Sequence, residues 1–362
     1  METPKMATQQ EFQFHKIVEP LLEWYGQNAR ILPWRENKDP YRVWVSEIML
    51  QQTRVEAVKP YFERFLEQLP TLEHLAAAEE EVLLKLWEGL GYYTRVRNLQ
   101  KAAQMICEKY EGRFPETYEE ILSLPGIGPY TAGAISSISF EQPVPAVDGN
   151  VLRVVTRLME DSRPITDPTL KQQITEALAA VYPEGRCGDF TQSLMELGAI
   201  VCTPNGFPNC ACCPLRLLCG ANQEQTQLSF PVQREKQPRS QQEKTVFLLC
   251  FEDQVAVCKR RPGGLLGGLW EFPNTEGFLT EEEAAAWLRA EAIIPGKIVK
   301  ASTKTHVFTH IEWHMESYLI FCKTKNTRFL WLTREELANS IALPTAFKKF
   351  MKCLDMEPGE RQ

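Results

Sequence analysis

LPGIGPYTAGAI, residues 124–135, decides what the first two thirds of this chain can be. Gly126 and Gly128 bracket a tight turn, and the small apolar residues after Tyr130 continue as a helix. Amides of such a turn, at a helix N-terminus, point outward and seat a phosphate without reading sequence. Taken alone, the same pattern also serves as a plain helix–helix turn. Its surroundings are helical: apolar residues recur at helical spacing in 14–25, 42–50, 54–69, 79–88, 97–110, 117–123, 130–138 and 170–181. Thr53 followed by Glu56 predicts a capping box and a new helix, which leaves Gln51 and Gln52 at a junction. Downstream the pattern changes. Gln, Pro and charge dominate 220–243, TVFLLCFEDQVAVCKRR predicts a hairpin, and THVFTHIEWHMESYLIFC predicts a long strand pair. Residues 281–292 and 334–354 read as helices, so the C-terminal third is α+β.

Three further stretches carry chemistry. Cys202, Cys210, Cys213 and Cys219, with Cys212 as a spare, lie in a loop rich in Pro, Asn and Gly. Four thiolates at this density read as a metal centre, and spacing alone leaves zinc and an iron–sulfur cluster both open. Asp148, in VPAVDGNVLRV, precedes a helix; alone it reads as an N-cap. Glu47, in YRVWVSEIMLQQT, has Val45, Ile48, Met49 and Leu50 as neighbours. On an exposed helix face it would be unremarkable, but desolvation among those side chains would raise its pKa and suit it to proton donation.

At 362 residues, 44% hydrophobic and 24% charged, the chain has the length of two or three globular domains. Fibrous and wholly disordered classes are excluded. The polar start METPKMATQQEFQFHK has no signal-peptide core, and no run approaches the ~18 apolar residues of a membrane helix. A cytoplasmic, nucleoid-associated monomer without membrane contact is expected. Net charge is −7, with acid-free basic stretches at 89–107 (Arg95, Arg97, Lys101) and 292–311 (Lys297, Lys300, Lys304), so charge neither requires nor forbids DNA.

Together and in this order, LPWR (32–35), SEIMLQQT (46–53), GLGYYTRVRNL (89–99), LPGIGPYTAGAI, VDGNV, LGAIVCTP (197–204) and Phe308-Thr309-His310 resemble the adenine DNA glycosylases of the MutY type. That family belongs to the helix–hairpin–helix glycosylases carrying a 4Fe–4S cluster. The resemblance implies a helical catalytic domain over 1–225 with an iron–sulfur loop, a linker over 226–243, and a Nudix-like 8-oxoguanine recognition domain over 244–357. It makes Glu47 the general acid on adenine N7 and Asp148 the carboxylate that stabilises the sugar cation or attacks it, with Tyr130 and Asn150 positioning the sugar and the carboxylates. It places Arg30, Trp34, Arg35, Val55 and Gln192 around the adenine, Leu50, Gln52 and Tyr92 in the base stack, and Gly126 and Gly128 on the backbone. Phe308, Thr309 and His310 would read 8-oxoguanine.

The partner implied is duplex DNA with adenine opposite 8-oxoguanine or guanine, and the base must swing out to be reached. Cys202, Cys210, Cys213 and Cys219 become the cluster ligands; their first gap is one residue longer than the family's usual six, which implies an insertion within 203–209. Relatives that also cut the strand carry a Lys where Tyr130 stands, and no Lys occurs between 110 and 170. KRRPGGLLGGLWEFP resembles the Nudix strand and glycine loop, but TEEEAAAWLRAEA replaces the metal-binding helix of active Nudix hydrolases. Two rivals stand beside this reading: an endonuclease III-like glycosylase with lyase activity, and a damage-binding iron–sulfur protein without catalysis.

Overall fold

In the computed structural model, residues 12–234 and 237–355 are described, so the expected domain bounds at 1 and 357 and residues 235 and 236 of the expected linker lie outside them. Contacts divide the chain into two compact units, Met1–Ala77 with Asn98–Glu235, and Ala78–Arg97 with Lys236–Gln362. Residues 78–97, grouped with the helical domain on sequence, thus pack with the C-terminal unit.

The first unit is helical: α1 (Val18–Asn28), α2 (Pro40–Leu50), α3 (Val55–Gln68), α4 (Leu72–Ala77), the latter part of α6 (Thr94–Lys109), α7 (Tyr118–Leu122), α8 (Pro129–Phe140), α9 (Gly149–Met159), α10 (Pro168–Ala179), α11 (Cys187–Ile200) and α12 (Gly220–Gln223). The starts of α2, α8 and α10 combine a proline in the first turn with a break before it, because a first-turn residue needs no N–H partner. One core joins α1, α9, α10 and α11 through Leu21, Val151, Val155, Ile174, Phe190 and Leu194, all nearly solvent-free.

The Thr53–Glu56 capping box does not form. Gln52 adopts φ 59°, α3 starts only at Val55 with no side-chain cap on Arg54, and Lys59 takes the Glu56 carboxylate at 2.8 Å. Gln51 and Gln52 nonetheless sit at the junction between α2 and α3, as the pattern predicts.

In the second unit, α5 (Glu80–Leu86) accompanies a seven-stranded sheet of β1 (Ser240–Phe251), β2 (Gln254–Lys259), β3 (Trp270–Glu271), β4 (Asn274–Glu276), β5 (Pro295–Val307), β6 (Ile311–Cys322) and β7 (Leu330–Thr333). The path runs β3-β2-β1-β6-β5, with β4 on β1 and β7 on β2; only β1 and β6 pair in parallel, Val246 opposite Ser317. Successive residues of β1 enter different cores: Val246 and Leu248 on one face, Phe247 and Leu249 on the other. Burial on both faces explains the unbroken apolar run.

β1 begins at Ser240, inside the stretch expected to be linker. α13 (Glu281–Ala290) opens with a capping box from Thr280 and Glu283. The helix expected over 334–354 is broken: α14 (Arg334–Asn339) and α15 (Thr345–Lys348) lie either side of Pro344, followed by a 3-10 turn at Met351–Asp355. Among the described residues, no helix is long and apolar enough to cross a membrane.

Candidate active site

Glu47 sits in the last turns of α2, 6% exposed, and accepts a short hydrogen bond on Oε2 from the Tyr130 hydroxyl at the start of α8. Burial pushes its carboxyl up to about 7; nearby Asp148 adds to this, while the Tyr130 bond and the Arg35 charge oppose it. At neutral pH, the protonated and ionised forms are therefore comparably populated.

Asp148 is the N-cap of α9. Its Oδ1 accepts Val151 N–H at 2.8 Å and its Oδ2 accepts Asn150 Nδ2–H at 2.7 Å. Burial raises this carboxyl too, but both hydrogen bonds and the Arg153 charge favour the ionised form. The N-cap role read from sequence is therefore real, and this half-buried carboxylate also lines the cavity that Glu47 lines. The two groups differ in their donors: N–H groups surround Asp148, whereas Glu47 holds one phenol.

Both line one cavity of about 630 Å³, together with Arg30, Trp34, Arg35, Leu50, Gln52, Val55, Tyr130, Asn150 and Gln192. Residues from α2, the α2–α3 junction, α8, α9 and α11 thus converge as expected. Glu196 on α11 was not anticipated. It is 1% exposed, accepts Arg30 Nε at 2.6 Å and Nη2 at 2.9 Å, and accepts Arg35 Nη2 at 2.9 Å. Burial alone would raise its carboxyl, but the Arg30 and Arg35 hydrogen bonds outweigh this and hold it at about 2. An acid between Met195 and Leu197 was the available signal.

Asn150 is itself held. Arg153 Nη2 donates to Asn150 Oδ1 at 2.8 Å and to Gly198 O at 2.6 Å, and Arg153 Nε donates to Cys202 O at 2.8 Å. Gly198 is required here, because a Cβ at that position would lie 2.6 Å from Asn150 Cβ. Gly126 adopts φ 77° in the turn before α8, a conformation that favours glycine, while Gly128 is the extended N-cap with open space where a side chain would stand.

Cys202, Cys210, Cys213 and Cys219 line a separate small pocket, and Cys212 lies exposed outside it. Arg157 Nη1 donates to Cys202 Sγ at 3.2 Å. Burial pushes the Cys213 thiol up to about 12 and Cys219 to about 11, so bare thiolates are unfavourable without a bound cation. Among the described residues, no three His, Cys, Asp or Glu side chains converge on a single ion. A cubane cluster asks for less convergence, since each thiolate binds a different iron.

In the second unit, Phe308, Thr309 and His310 form the three-residue turn between β5 and β6. The Phe308 ring packs edge-on against His306 and Trp313 at 4.5 and 4.9 Å. The Thr309 and Tyr92 hydroxyls share a hydrogen bond of 2.8 Å, and both residues line a cavity walled by 263–267 and 306–311. Tyr92, at φ 48°, is half exposed under Arg95, whose guanidinium lies 5.5 Å from its ring and donates to Leu90 O and Gly91 O. Lys300 is engaged by Glu316 at 2.6 Å, so only Lys297 and Lys304 of that basic stretch lack a carboxylate among the described residues.

Residues 45–180 match the HhH-GPD superfamily of base excision DNA repair proteins, and residues 245–353 match a NUDIX domain. The adenine DNA glycosylase of Buchnera aphidicola subsp. Schizaphis graminum is 32% identical over 92% of this chain and 96% of its own. The human adenine DNA glycosylase is 33% identical over 94% of this chain and 74% of its own.

This chain belongs to the adenine DNA glycosylases.

It is accordingly a base-excision glycosylase, a helical catalytic fold followed by a Nudix-like domain. Among solved structures, a thermostable thymine-DNA glycosylase superposes with TM-score 0.53 at 28% identity, covering 58% of this glycosylase and 97% of that chain. An endonuclease III in a non-covalent DNA complex superposes with TM-score 0.51 at 25% identity, over 61% and 99%.

Proposed function

We propose that the enzyme hydrolyses the N-glycosidic bond of adenine paired with 8-oxoguanine or guanine in duplex DNA, without strand cleavage. The observation that carries this is the protonatable Glu47, with a pKa raised to about 7, sharing one cavity with the hydrogen-bonded carboxylate Asp148. Adenine is a poor leaving group. A neutral Glu47 carboxylic acid donates its proton to N7, the C1′–N9 bond breaks, and the resulting carboxylate activates the attacking water. Asp148 stabilises the oxocarbenium-like sugar by charge. Tyr130 holds Glu47, and Asn150 holds Asp148. Arg30, Arg35 and Glu196 present a fixed array of donors and acceptors to the base, with Trp34, Val55 and Gln192 around it. Tyr130 at the hairpin leaves a covalent lyase route without its amine there.

Leu50, Gln52 and Tyr92 fill the stack vacated by the base, and Gly126 and Gly128 present amides to phosphate. The Thr309 hydroxyl donates to one and accepts from the other of the two groups that distinguish 8-oxoguanine from guanine, with Phe308 and His310 beside it. Cys202, Cys210, Cys213 and Cys219 would hold a 4Fe–4S cluster, which ties the loop after α11 into one piece. We place the enzyme as a cytoplasmic, nucleoid-associated monomer.

Single-turnover excision on a duplex containing adenine opposite 8-oxoguanine tests the reading. Glu47→Gln should lose at least ~10²-fold in rate and keep duplex affinity. The same preparation should contain iron, retained in Cys212→Ser. Excision intact in Glu47→Gln, or product strands nicked without alkali, would overturn it.

A further inference from the structure

Four cations line the cavity of Glu47 and Asp148: Arg30, Arg35, Arg153 and Lys171. Three are already engaged. Arg30 and Arg35 hold Glu196, and Arg153 holds Asn150 and the carbonyls of Gly149, Gly198 and Cys202. Lys171, exposed in the first turn of α10, has no side-chain hydrogen bond or ion pair among the described residues. It is the one cation of the cavity with its charge uncommitted.

We infer that Lys171 takes a phosphate of the DNA strand next to the extrahelical nucleotide. This rests on reading the cavity as the adenine site. A nucleotide that enters carries a phosphodiester on each side of its sugar, and both stay at the mouth while the base goes in. The half-buried Asp148 carboxylate inside repels them, so a free ammonium at the rim meets a need that the three engaged arginines do not cover. An ammonium on a flexible stem is a point charge, suited to phosphate and indifferent to sequence. Lys171 is thus a binding contact additional to the Gly126–Gly128 turn.

The test uses the full chain in a Glu47→Gln background, so that binding is read without excision. Affinity for a duplex with adenine opposite 8-oxoguanine is measured for Lys171, Lys171→Ala and Lys171→Arg between ~50 and ~200 mM salt. Lys171→Ala should weaken binding about five- to tenfold at the low-salt end, and the slope of log affinity against log salt should become shallower by about 0.9. Lys171→Arg should restore the slope.

An unchanged slope in Lys171→Ala overturns the contact. So does borohydride trapping of the abasic product that is lost in both Lys171→Ala and Lys171→Arg. In that case Nζ joins C1′ of the ring-opened sugar with loss of water, borohydride reduces the imine to an amine, and the side chain is a nucleophile. If the wild type fails to excise adenine but the slope still falls in Lys171→Ala, the phosphate contact stands and the reading of the cavity fails.

Discussion

In the proposed mechanism, the environment of Glu47 sets both a rate and a stability. Its carboxyl is raised to about 7 by burial, so catalysis that needs the protonated form should fall by about tenfold per pH unit above that value. Single-turnover rates at saturating duplex between pH 5 and 9 check this; a rate rising through pH 8 would remove Glu47 as the acid. Linkage gives a second readout. The unfolded carboxyl ionises near its ordinary value of ~4.5 while the folded one keeps its proton, so rising pH favours the unfolded chain until the folded pKa is passed. Wild type should therefore lose stability relative to Glu47→Gln between about pH 4.5 and 7, and the gap in Tm should then level off. Sequence made Glu47 legible because its neighbours are apolar. It left Glu196 unread, because a buried acid held by Arg30 and Arg35 declares itself only when residues far apart in sequence meet.

Among the elements, α9 and α11 set the precision of the site; Asp148 marked the start of α9 in the sequence, whereas α11 escaped the periodicity reading that found α1, α3 and α6. α11 buries Gly188, Phe190, Thr191, Ser193, Leu194, Glu196 and Leu197 almost all round, so no apolar stripe with a polar opposite face exists to be counted. α9 carries Arg153 and Arg157 inward, where a pattern count expects solvent. Their role is to reach carbonyls of the cysteine loop, which no local pattern encodes. Gly198 is the contact point between the two helices. Gly198→Ala puts a Cβ 2.6 Å from Asn150 Cβ and must push the first turn of α9 away. That turn carries Asp148, so excision should fall about 10²-fold, for a stability loss of about 1–3 kcal/mol. Excision kinetics and thermal melts on the same preparation check this. A variant that is fully active and equally stable would mean that the helices part without moving the carboxylate. The capping box failed for the opposite reason: Thr53 and Glu56 have the right spacing, but Gln52 is left-handed and α3 starts only at Val55, with Arg54 rather than Thr53 at the N-cap.

At the scale of the whole molecule, the domain boundary was legible in composition except where it doubles back. Residues 78–97 carry ordinary helical periodicity, and nothing in their sequence says which unit receives them. Contacts inside the C-terminal unit decide it. Glu88, 7% exposed on its side chain, accepts Lys85 at 2.9 Å, Lys348 at 2.8 Å and the Leu343 N–H at 2.7 Å. Arg97 donates to Gly267 O at 2.9 Å, and Glu81 takes Lys259 and Trp270 at 2.7 and 3.1 Å. A cut after residue 225 therefore removes the packing of an internal segment as well as the Phe308–Thr309 turn. Removing the turn alone is the cleaner experiment. Phe308→Ala with Thr309→Ala in the full chain should reduce the preference for 8-oxoguanine over guanine by one to two decades, since a lost pair of hydrogen bonds is worth roughly 1–3 kcal/mol. Its maximal rate opposite guanine should hold, and its Tm should fall less than that of the truncated chain, because the Glu88 contacts remain. The truncated chain should lose the same preference and also melt lower, with fast hydrogen exchange in 80–86, where Glu81 has lost Lys259 and Trp270 and Lys85 has lost the Ile341 carbonyl. If both proteins melt alike, residues 78–97 fold without the sheet. If the double variant keeps its preference for 8-oxoguanine, the turn is not the reader, and the discrimination must be sought on the helical unit.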